Sequence, residues 1–139
     1  METFLLDTNI ASLLHPQKQN SLLYSQYSSM LLGKSLAISF QTEAELWSWG
    51  FENNWGLTRI RNLEQFISQF IIIPTSKELA KVWALVRTKS KQQGRFLETA
   101  DAWIIATGVY YEIPVVTHDK DFIGLNIPGL TIITFLDNE

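Results

Sequence analysis

Short apolar runs that alternate with longer amphipathic stretches constrain how this chain of 139 residues can fold. The apolar runs have the length of buried strands and lie at residues 4–6, 36–40, 71–73, 115–117 and 131–136. The stretches with helical spacing lie at residues 8–14, 21–32, 42–49, 58–70, 76–89 and 98–111. Strands that alternate with helices form mostly parallel sheets covered on both faces. The sequence therefore predicts an α/β protein, a three-layer α/β/α sandwich with a mostly parallel central sheet.

Polar residues and glycines predict where the helices begin and end. We expect Thr8 or Asn9 to cap the first helix, Thr42 to open the third, and Ser76 to cap the fifth. The Asn- and Gly-rich stretch at residues 50–56 is expected to end the third helix. Residues 118–122 are expected to form a turn or a short helix.

Composition limits the number of domains, the kinds of metal site that are possible and the expected cellular compartment. A length of 139 residues with 46% hydrophobic and 18% charged residues suits one globular domain over residues 1–139. The absence of cysteine excludes disulfides, thiolate metal sites and a cysteine nucleophile, so any metal must be held by oxygen or imidazole. Because no signal peptide or membrane-spanning stretch is recognisable, we expect a cytoplasmic protein with no membrane partner.

Acidic residues follow or precede the predicted strands at one edge of the sheet. Asp7 follows the first strand, Glu45 lies one turn into the helix after the second, and Asp119 follows the strand at 115–117. Asp101 lies in the first turn of the helix that precedes that last strand, so its helix should point its N-terminal end at the same edge. Ligands of such sheets bind beyond the carboxyl ends of the strands.

Each of these acids also has a structural interpretation. Thr42 and Glu45 match a capping box, Asp101 is a first-turn acid favoured by the helix dipole, and Asp7 and Asp119 suit turns or caps. Four converging carboxylates would nevertheless repel one another and raise each other's pKa unless a cation lies among them. Mg²⁺ and Mn²⁺ prefer oxygen ligands and commonly assist the attack of water on a phosphodiester.

Four segments carry a resemblance to a known family: residues 4–9, 38–46, 101–107 and 116–122. In this order they resemble the four motifs of PIN-domain ribonucleases, most closely the VapC-type toxins of toxin-antitoxin pairs. The likeness covers essentially the whole chain.

The resemblance implies an endoribonuclease that depends on Mg²⁺ or Mn²⁺, forms a homodimer and is restrained by an antitoxin protein. By position, Asp7, Glu45 and Asp101 match the metal-holding acids of the family and Asp119 matches the more variable fourth, for which Asp121 is a competitor. The residues that match supporting or phosphate-contacting positions are Thr8, Asn9 and Thr117. Two alternatives stay open: a PIN-fold nuclease of RNA processing without a toxin role, and a catalytically inert PIN-fold binding module.

Two further features concern substrate and partners. Arg87, Lys89, Lys91 and Arg95 form the densest basic run, which suits either phosphate contacts or, as we favour, a solvated helix end. The aromatic stretch at residues 47–55, together with the helix at 58–70, is expected to offer an apolar surface to an antitoxin segment or a second subunit.

Overall fold

The computed structural model describes residues 2–136, and within them a parallel sheet is covered by helices on both faces. The strands are β1 (Thr3–Leu6), β2 (Ser35–Ser39), β3 (Ile71–Ile73), β4 (Val115–Val116) and β5 (Ile132–Ile133). The helices are α1 (Thr8–Leu13), α2 (Leu22–Leu31), α3 (Phe40–Glu52), α4 (Leu57–Ser68), α5 (Lys77–Gln92) and α6 (Thr99–Tyr111). Two short 3₁₀ helices lie at Pro16–Lys18 and Lys120–Phe122.

The strand order is β3-β2-β1-β4-β5, and every pair is parallel. Parallel pairing brings the carboxyl ends of all five strands to one edge. The order reverses beside β1, which is the first strand and lies at the centre of the sheet. Such a reversal leaves a crevice at the carboxyl edge, where ligands of open α/β sheets bind.

Side chains of each strand alternate between two hydrophobic cores. Phe4 and Leu6 of β1 pack into the core formed with α1 to α4, whereas Leu5 packs into the core formed with α5 and α6. Burial on both faces explains why the strand segments are apolar without alternation. The predicted three-layer α/β/α sandwich is confirmed.

Two predicted helix starts are wrong. Asp7, not Thr8 or Asn9, caps α1, because its carboxylate accepts a hydrogen bond from the Thr8 amide at 2.7 Å. Ser39, not Thr42, caps α3, because its hydroxyl accepts a hydrogen bond from the Thr42 amide at 3.2 Å. Glu45 therefore lies in the second turn of α3, and the capping-box interpretation of Thr42 and Glu45 fails.

The predicted end of the third helix within residues 50–56 is confirmed, since α3 ends at Glu52. A Cβ atom on Gly50 would lie 2.9 Å from the Leu63 side chain and 3.0 Å from that of Ile60. A larger residue at this position would have to displace the side-chain ends of Leu63 and Ile60, so Gly50 allows the close approach of α4 from within α3 and does not itself end the helix. Within residues 2–136 no helix combines the length and apolar character needed to cross a bilayer.

Candidate active site

Four acidic side chains converge at the carboxyl edge of the sheet, each carried by a different element. Asp7 follows β1 and caps α1, Glu45 lies on α3 after β2, and Asp101 lies in the first turn of α6. Asp119 follows β4 and caps the short 3₁₀ helix by accepting a hydrogen bond from the Asp121 amide at 2.9 Å. The predicted site residues are therefore brought to one edge.

Asp7 is the most buried of these acids, with 5% of its surface exposed. One carboxylate oxygen accepts the Thr8 amide, and the other accepts the hydroxyl of Thr117 at 2.6 Å. These hydrogen bonds lower the pKa of Asp7, but burial outweighs them and, with repulsion from Asp119 and Glu45, raises it to about 6. The side chain is held in one orientation and resists ionisation.

The pKa of Asp101 is raised to about 7, which is further than that of Asp7. Burial is again the largest cause, followed by repulsion from Asp7, Asp119, Glu98 and Glu45 in that order. Because all of these causes act in the same direction, Asp101 gains and loses its proton close to neutral pH. A cation placed among these carboxylates would relieve the repulsion.

Hydrogen bonds link the acids through neighbouring polar side chains. The Thr117 hydroxyl, fully buried, donates to Asp7 and accepts the Asp119 amide at 3.0 Å, so it ties β1 to the loop after β4. The hydroxyls of Thr8 and Thr42 lie 3.0 Å apart and join α1 to α3. Glu45 accepts a hydrogen bond from Gln41 at 2.9 Å.

Asp119 and Asp121 differ in their relation to the other acids. Asp119 contributes to the raised pKa of both Asp7 and Asp101, whereas Asp121 contributes to neither. Asp121 is exposed, and its backbone carbonyl accepts a hydrogen bond from Arg95 at 2.8 Å. Electrostatic coupling therefore favours Asp119 as the fourth member of the cluster.

Asn9 is exposed at the same edge, and its side-chain oxygen accepts the His118 amide at 3.4 Å. Asn9 therefore lies beside the four acids but makes no hydrogen bond to Asp7 or Thr117. Its amide group is available to a ligand that approaches from solvent.

Three residues near the site were not predicted from the sequence to support it. Tyr27 is fully buried; its hydroxyl donates to the Thr117 carbonyl at 3.2 Å and lies 2.7 Å from Nδ1 of His118. Thr42 supports Thr8, and Glu98 adds a fifth negative charge near Asp101. The spacing of Glu98, three residues before Asp101 at the start of a helix, was the available signal for its proximity.

The donor set suits a hard divalent cation, because it consists of carboxylate oxygens with polar neutral neighbours. Among residues 2–136 no three carboxylate or imidazole side chains are already gathered closely enough to hold a metal ion. The acids are thus coupled electrostatically at longer range than direct ligation requires. In that same part of the chain the single ion pair, Lys34 with Glu2 at 3.3 Å, involves none of these acids.

Comparison with known proteins places this arrangement in a family. The chain is 31% identical over 68 residues to ribonuclease VapC5 of Mycobacterium tuberculosis, a match that covers 49% of this chain and 50% of that protein. The chain thus matches about half the length of this curated relative.

Solved structures resemble the whole fold. VapBC2 from Rickettsia felis, bound to a DNA fragment from its promoter, superposes with a TM-score of 0.75 at 22% identity and covers 95% of this chain and 98% of its own. A toxin-antitoxin complex from Klebsiella pneumoniae gives 0.72 at 26% identity, with 92% and 95% covered. The family model described as PIN domain matches residues 4–127, a range that contains all four acids. With that match over most of its length and with this fold, the chain belongs to the PIN domain family.

Proposed function

We propose that this chain is an endoribonuclease that hydrolyses RNA phosphodiester bonds with Mg²⁺ or Mn²⁺ held by Asp7, Glu45, Asp101 and Asp119. The observation that carries the proposal is the convergence of these acids at the carboxyl edge, with the pKa of Asp7 raised to about 6 and that of Asp101 to about 7. Structural caps after parallel strands would share this edge too, but they have no need to lie close enough to raise the pKa of Asp7 and Asp101. A divalent cation is the simplest way to stabilise four carboxylates that lie this close together.

The chain's own residues have distinct parts in this proposal. When bound, a divalent cation stabilises charge on the phosphate and activates the attacking water. Asp7 is oriented by the Thr8 amide and the Thr117 hydroxyl, so it presents its carboxylate in a fixed direction. Thr117 also fixes the backbone of Asp119, and Asn9 is placed to contact phosphate from the solvent side. The low exposure of Asp7 strengthens electrostatic interactions at the reacting centre.

We propose further that the nuclease is the toxin of a toxin-antitoxin pair and acts in the cytoplasm. The curated relative is named a ribonuclease, and a solved structure of the same fold at 26% identity is a toxin-antitoxin complex. The second candidate is a PIN-fold nuclease of RNA processing with no toxin role. An inert binding module is disfavoured, because a module that only binds protein needs no cluster of mutually repelling acids.

A groove of about 790 Å³ at the amino ends of β2 and β3 is our candidate for the antitoxin surface. Its walls include Trp55, Arg59, Phe66 and Phe70 from the stretch expected to receive a partner. The residues of the aromatic stretch differ in exposure. Trp49 and Trp55 are half-buried against the core, whereas Phe51 is 61% exposed. Phe51 stacks on Trp47 at 5.9 Å, and this pair on α3 is our candidate contact for a homodimer.

Cleavage of a labelled RNA by the purified chain tests the catalytic proposal. We expect cutting with Mg²⁺ or Mn²⁺ and none in excess chelator. Asp7→Asn should abolish cutting, while Asp121→Asn, a nearby exposed acid outside the coupled cluster, should cut at close to the wild-type rate. Cleavage that persists in chelator, or in Asp7→Asn, would reject the metal site as proposed.

Growth of a bacterial host tests the toxin role separately. Expression of the wild-type chain should arrest growth, Asp7→Asn should not, and co-expression of the adjacent gene should relieve the arrest. Equal arrest by both forms would point to misfolding or aggregation. Cleavage in vitro without arrest would favour the RNA-processing role.

A further inference from the structure

A second groove, outside the acidic cluster, runs along the C-terminal half of α5 and the loop that leads to α6. Its volume is about 610 Å³. The aromatic, basic and large apolar residues that line it are Trp83, Arg87, Lys91, Arg95, Phe96 and Leu97.

The groove concentrates positive charge in an otherwise acidic protein. The chain carries 11 lysines and arginines and a formal net charge of -3. Three of those cations, Arg87, Lys91 and Arg95, line this groove, and no acidic residue lines it. This distribution complements a polyanion, which the net charge of the chain does not.

An aromatic ring is presented to solvent beside these cations. Phe96 is 78% exposed, and the Arg87 guanidinium lies 5.5 Å from its ring centre and 5.1 Å from that of Trp83. Aromatic rings with adjacent arginine form the platforms on which bases of single-stranded nucleic acids stack. A solvated helix end, the interpretation favoured from sequence, does not account for an exposed phenylalanine between cations.

The loop that carries Phe96 is held in place by hydrogen bonds. The Arg95 amide donates to the Ser90 carbonyl at 2.9 Å, and the side chain of Gln93 pairs with the backbone of Asn126 through bonds of 2.7 and 2.9 Å. Leu97, only 2% exposed, anchors the next position in the core. Phe96 is therefore displayed on an ordered loop, which reduces the entropy lost when a base stacks on it.

The groove lies next to the acidic edge. Leu97 directly precedes the cap of α6, and Asp101 lies about one helical turn further on. The Trp83 indole donates to the Thr99 carbonyl at 3.3 Å. Arg95 donates to the carbonyls of Asp121 and Ile123, which follow Asp119 in the chain.

We infer that this groove binds the single-stranded RNA segment that flanks the cleaved phosphodiester, with Phe96 stacking a base and Arg87 and Lys91 contacting phosphates. The inference rests on the proposed ribonuclease function and adds the residues that hold the substrate. Arg95 has a different part: its bonds to the two carbonyls fix the groove wall to the loop of Asp119. A second copy of the chain or an antitoxin segment is the competing occupant.

Fluorescence anisotropy tests the inference, with a labelled single-stranded RNA of about twelve nucleotides, within the usual site sizes. The titration uses the Asp101→Asn background in chelator, so that the RNA stays intact while it is measured. We expect Phe96→Ala to weaken binding about 5- to 150-fold, the loss of one base–aromatic stack. Arg87→Gln and Lys91→Gln should each reduce the slope of log affinity against log salt by about 0.7, the value for one phosphate contact of a single strand.

Lys89→Gln is the matched control, because Lys89 lies on the same helix and carries the same charge but does not line the groove. It should change the affinity and the salt slope much less than Arg87→Gln or Lys91→Gln. In the cleaving chain, Phe96→Ala should raise KM with little change in kcat.

The outcomes separate this inference from the function on which it rests. If the wild-type chain cuts RNA but Phe96→Ala, Arg87→Gln and Lys91→Gln all bind it as tightly as the Lys89→Gln control, the groove is not the substrate surface. The inference also fails if the groove variants lose a dimer or an antitoxin complex while RNA affinity is unchanged. Absence of both binding and cutting in the wild-type chain would overturn the ribonuclease proposal as well.

Discussion

The two ends of the sheet each bury an ionisable side chain but surround it differently. At the carboxyl end, Asp7 meets other acids, and its pKa is raised by burial and then by Asp119 and Glu45. At the amino end, His15 is 7% exposed, and its pKa is lowered by burial first and then by Arg59 and Lys18. Like charges add to the effect of burial at both ends, but only at the carboxyl end do the same neighbours, Asp119 and Glu45, also raise the pKa of a second acid, Asp101.

The surroundings of His15 are mainly aromatic. Its ring lies 5.0 Å from that of Trp49 and 5.1 Å from that of Phe66, both edge-on, and Nδ1 accepts the Gln17 amide at 3.2 Å. The neutral imidazole is thus satisfied by packing and one hydrogen bond. A shifted pKa at one buried group therefore does not by itself mark a functional site, whereas acids from several elements that together raise the pKa of Asp7 and of Asp101 point to one.

The largest effect that separates the two ends should come from Asp101→Asn. The substitution keeps the volume but removes a carboxylate from the cluster, and a bound cation contributes several kcal/mol to transition-state stabilisation. Cleavage should fall by about 10²- to 10³-fold or more, since about 1.4 kcal/mol corresponds to tenfold in rate. Single-turnover cleavage of labelled RNA measures this. A folded variant that cuts at the wild-type rate would remove Asp101 from the active site.

At the other end, His15→Ala should affect stability instead of chemistry. Loss of the ring from its contacts with Trp49, Trp55 and Phe66 leaves a cavity, and the free energy of unfolding should fall by about 2–4 kcal/mol. Denaturant unfolding measures the fall, and the rate of cleavage per folded molecule should not change. If cleavage were lost in a variant of normal stability, His15 would have a functional part and the contrast between the two ends would disappear.

A smaller effect should follow from Thr117→Val, which removes a hydroxyl but keeps the shape. Asp7 would lose the donor at 2.6 Å and the Asp119 amide its acceptor. Loss of such an orienting partner typically weakens metal affinity or activity by about 10- to 100-fold. Thr107→Val is the control, since Thr107 is equally buried but donates to the Trp103 carbonyl within α6. Equal losses in both variants would mean that packing, and not orientation of the acids, is responsible.

The smallest effect concerns pH, where the two ends should have opposite trends. Asp7 and Asp101 hold protons in the folded metal-free chain to about pH 6 and 7, whereas their ordinary pKa is 3.8. Their contribution to stability is therefore present at low pH and is lost as the pH rises through these values. For His15 the folded pKa is below 6.5, so its contribution is lost as the pH falls below 6.5.

Urea unfolding in chelator across pH 4–8 measures both trends. In Asp101→Asn, the free energy of unfolding should fall less as the pH rises towards 8. In His15→Phe, it should fall less as the pH drops towards 4. If the free energy of unfolding fell equally with rising pH in Asp101→Asn and the wild type, the pKa of Asp101 would not be raised by its surroundings.

Sequence patterns predicted the elements well because the local signals agreed with the tertiary fold. The strand at residues 71–73 has the predicted bounds, and Ser76 caps α5 as expected, its hydroxyl accepting the Leu79 amide. The prediction of the four acids used the parallel sheet, which brings strand ends together whatever the intervening helices do. The structure places all four at that edge.

Failures occurred where several residues satisfied the same local preference. Asp7, Thr8 and Asn9 are all good caps, as are Ser39 and Thr42, and only the point at which the strand leaves the sheet selects one. Tyr27 gave no local signal, because its bond to Thr117 spans 90 positions in the chain. The exposure of the Phe96 ring could likewise not be predicted, because it depends on the conformation of the loop that carries it.

Binding of Mn²⁺ to the RNA-free chain tests the central claim most directly, namely that the acids at the carboxyl edge form a cation site. Titration followed by electron paramagnetic resonance should give saturable binding to the wild-type chain. Asp121→Asn should bind similarly, and Asp101→Asn should bind at least about 10-fold more weakly, by analogy with losses on disturbing a metal site. Equal affinity of all three forms, or no binding to the wild-type chain at concentrations that support RNA cleavage, would contradict the account.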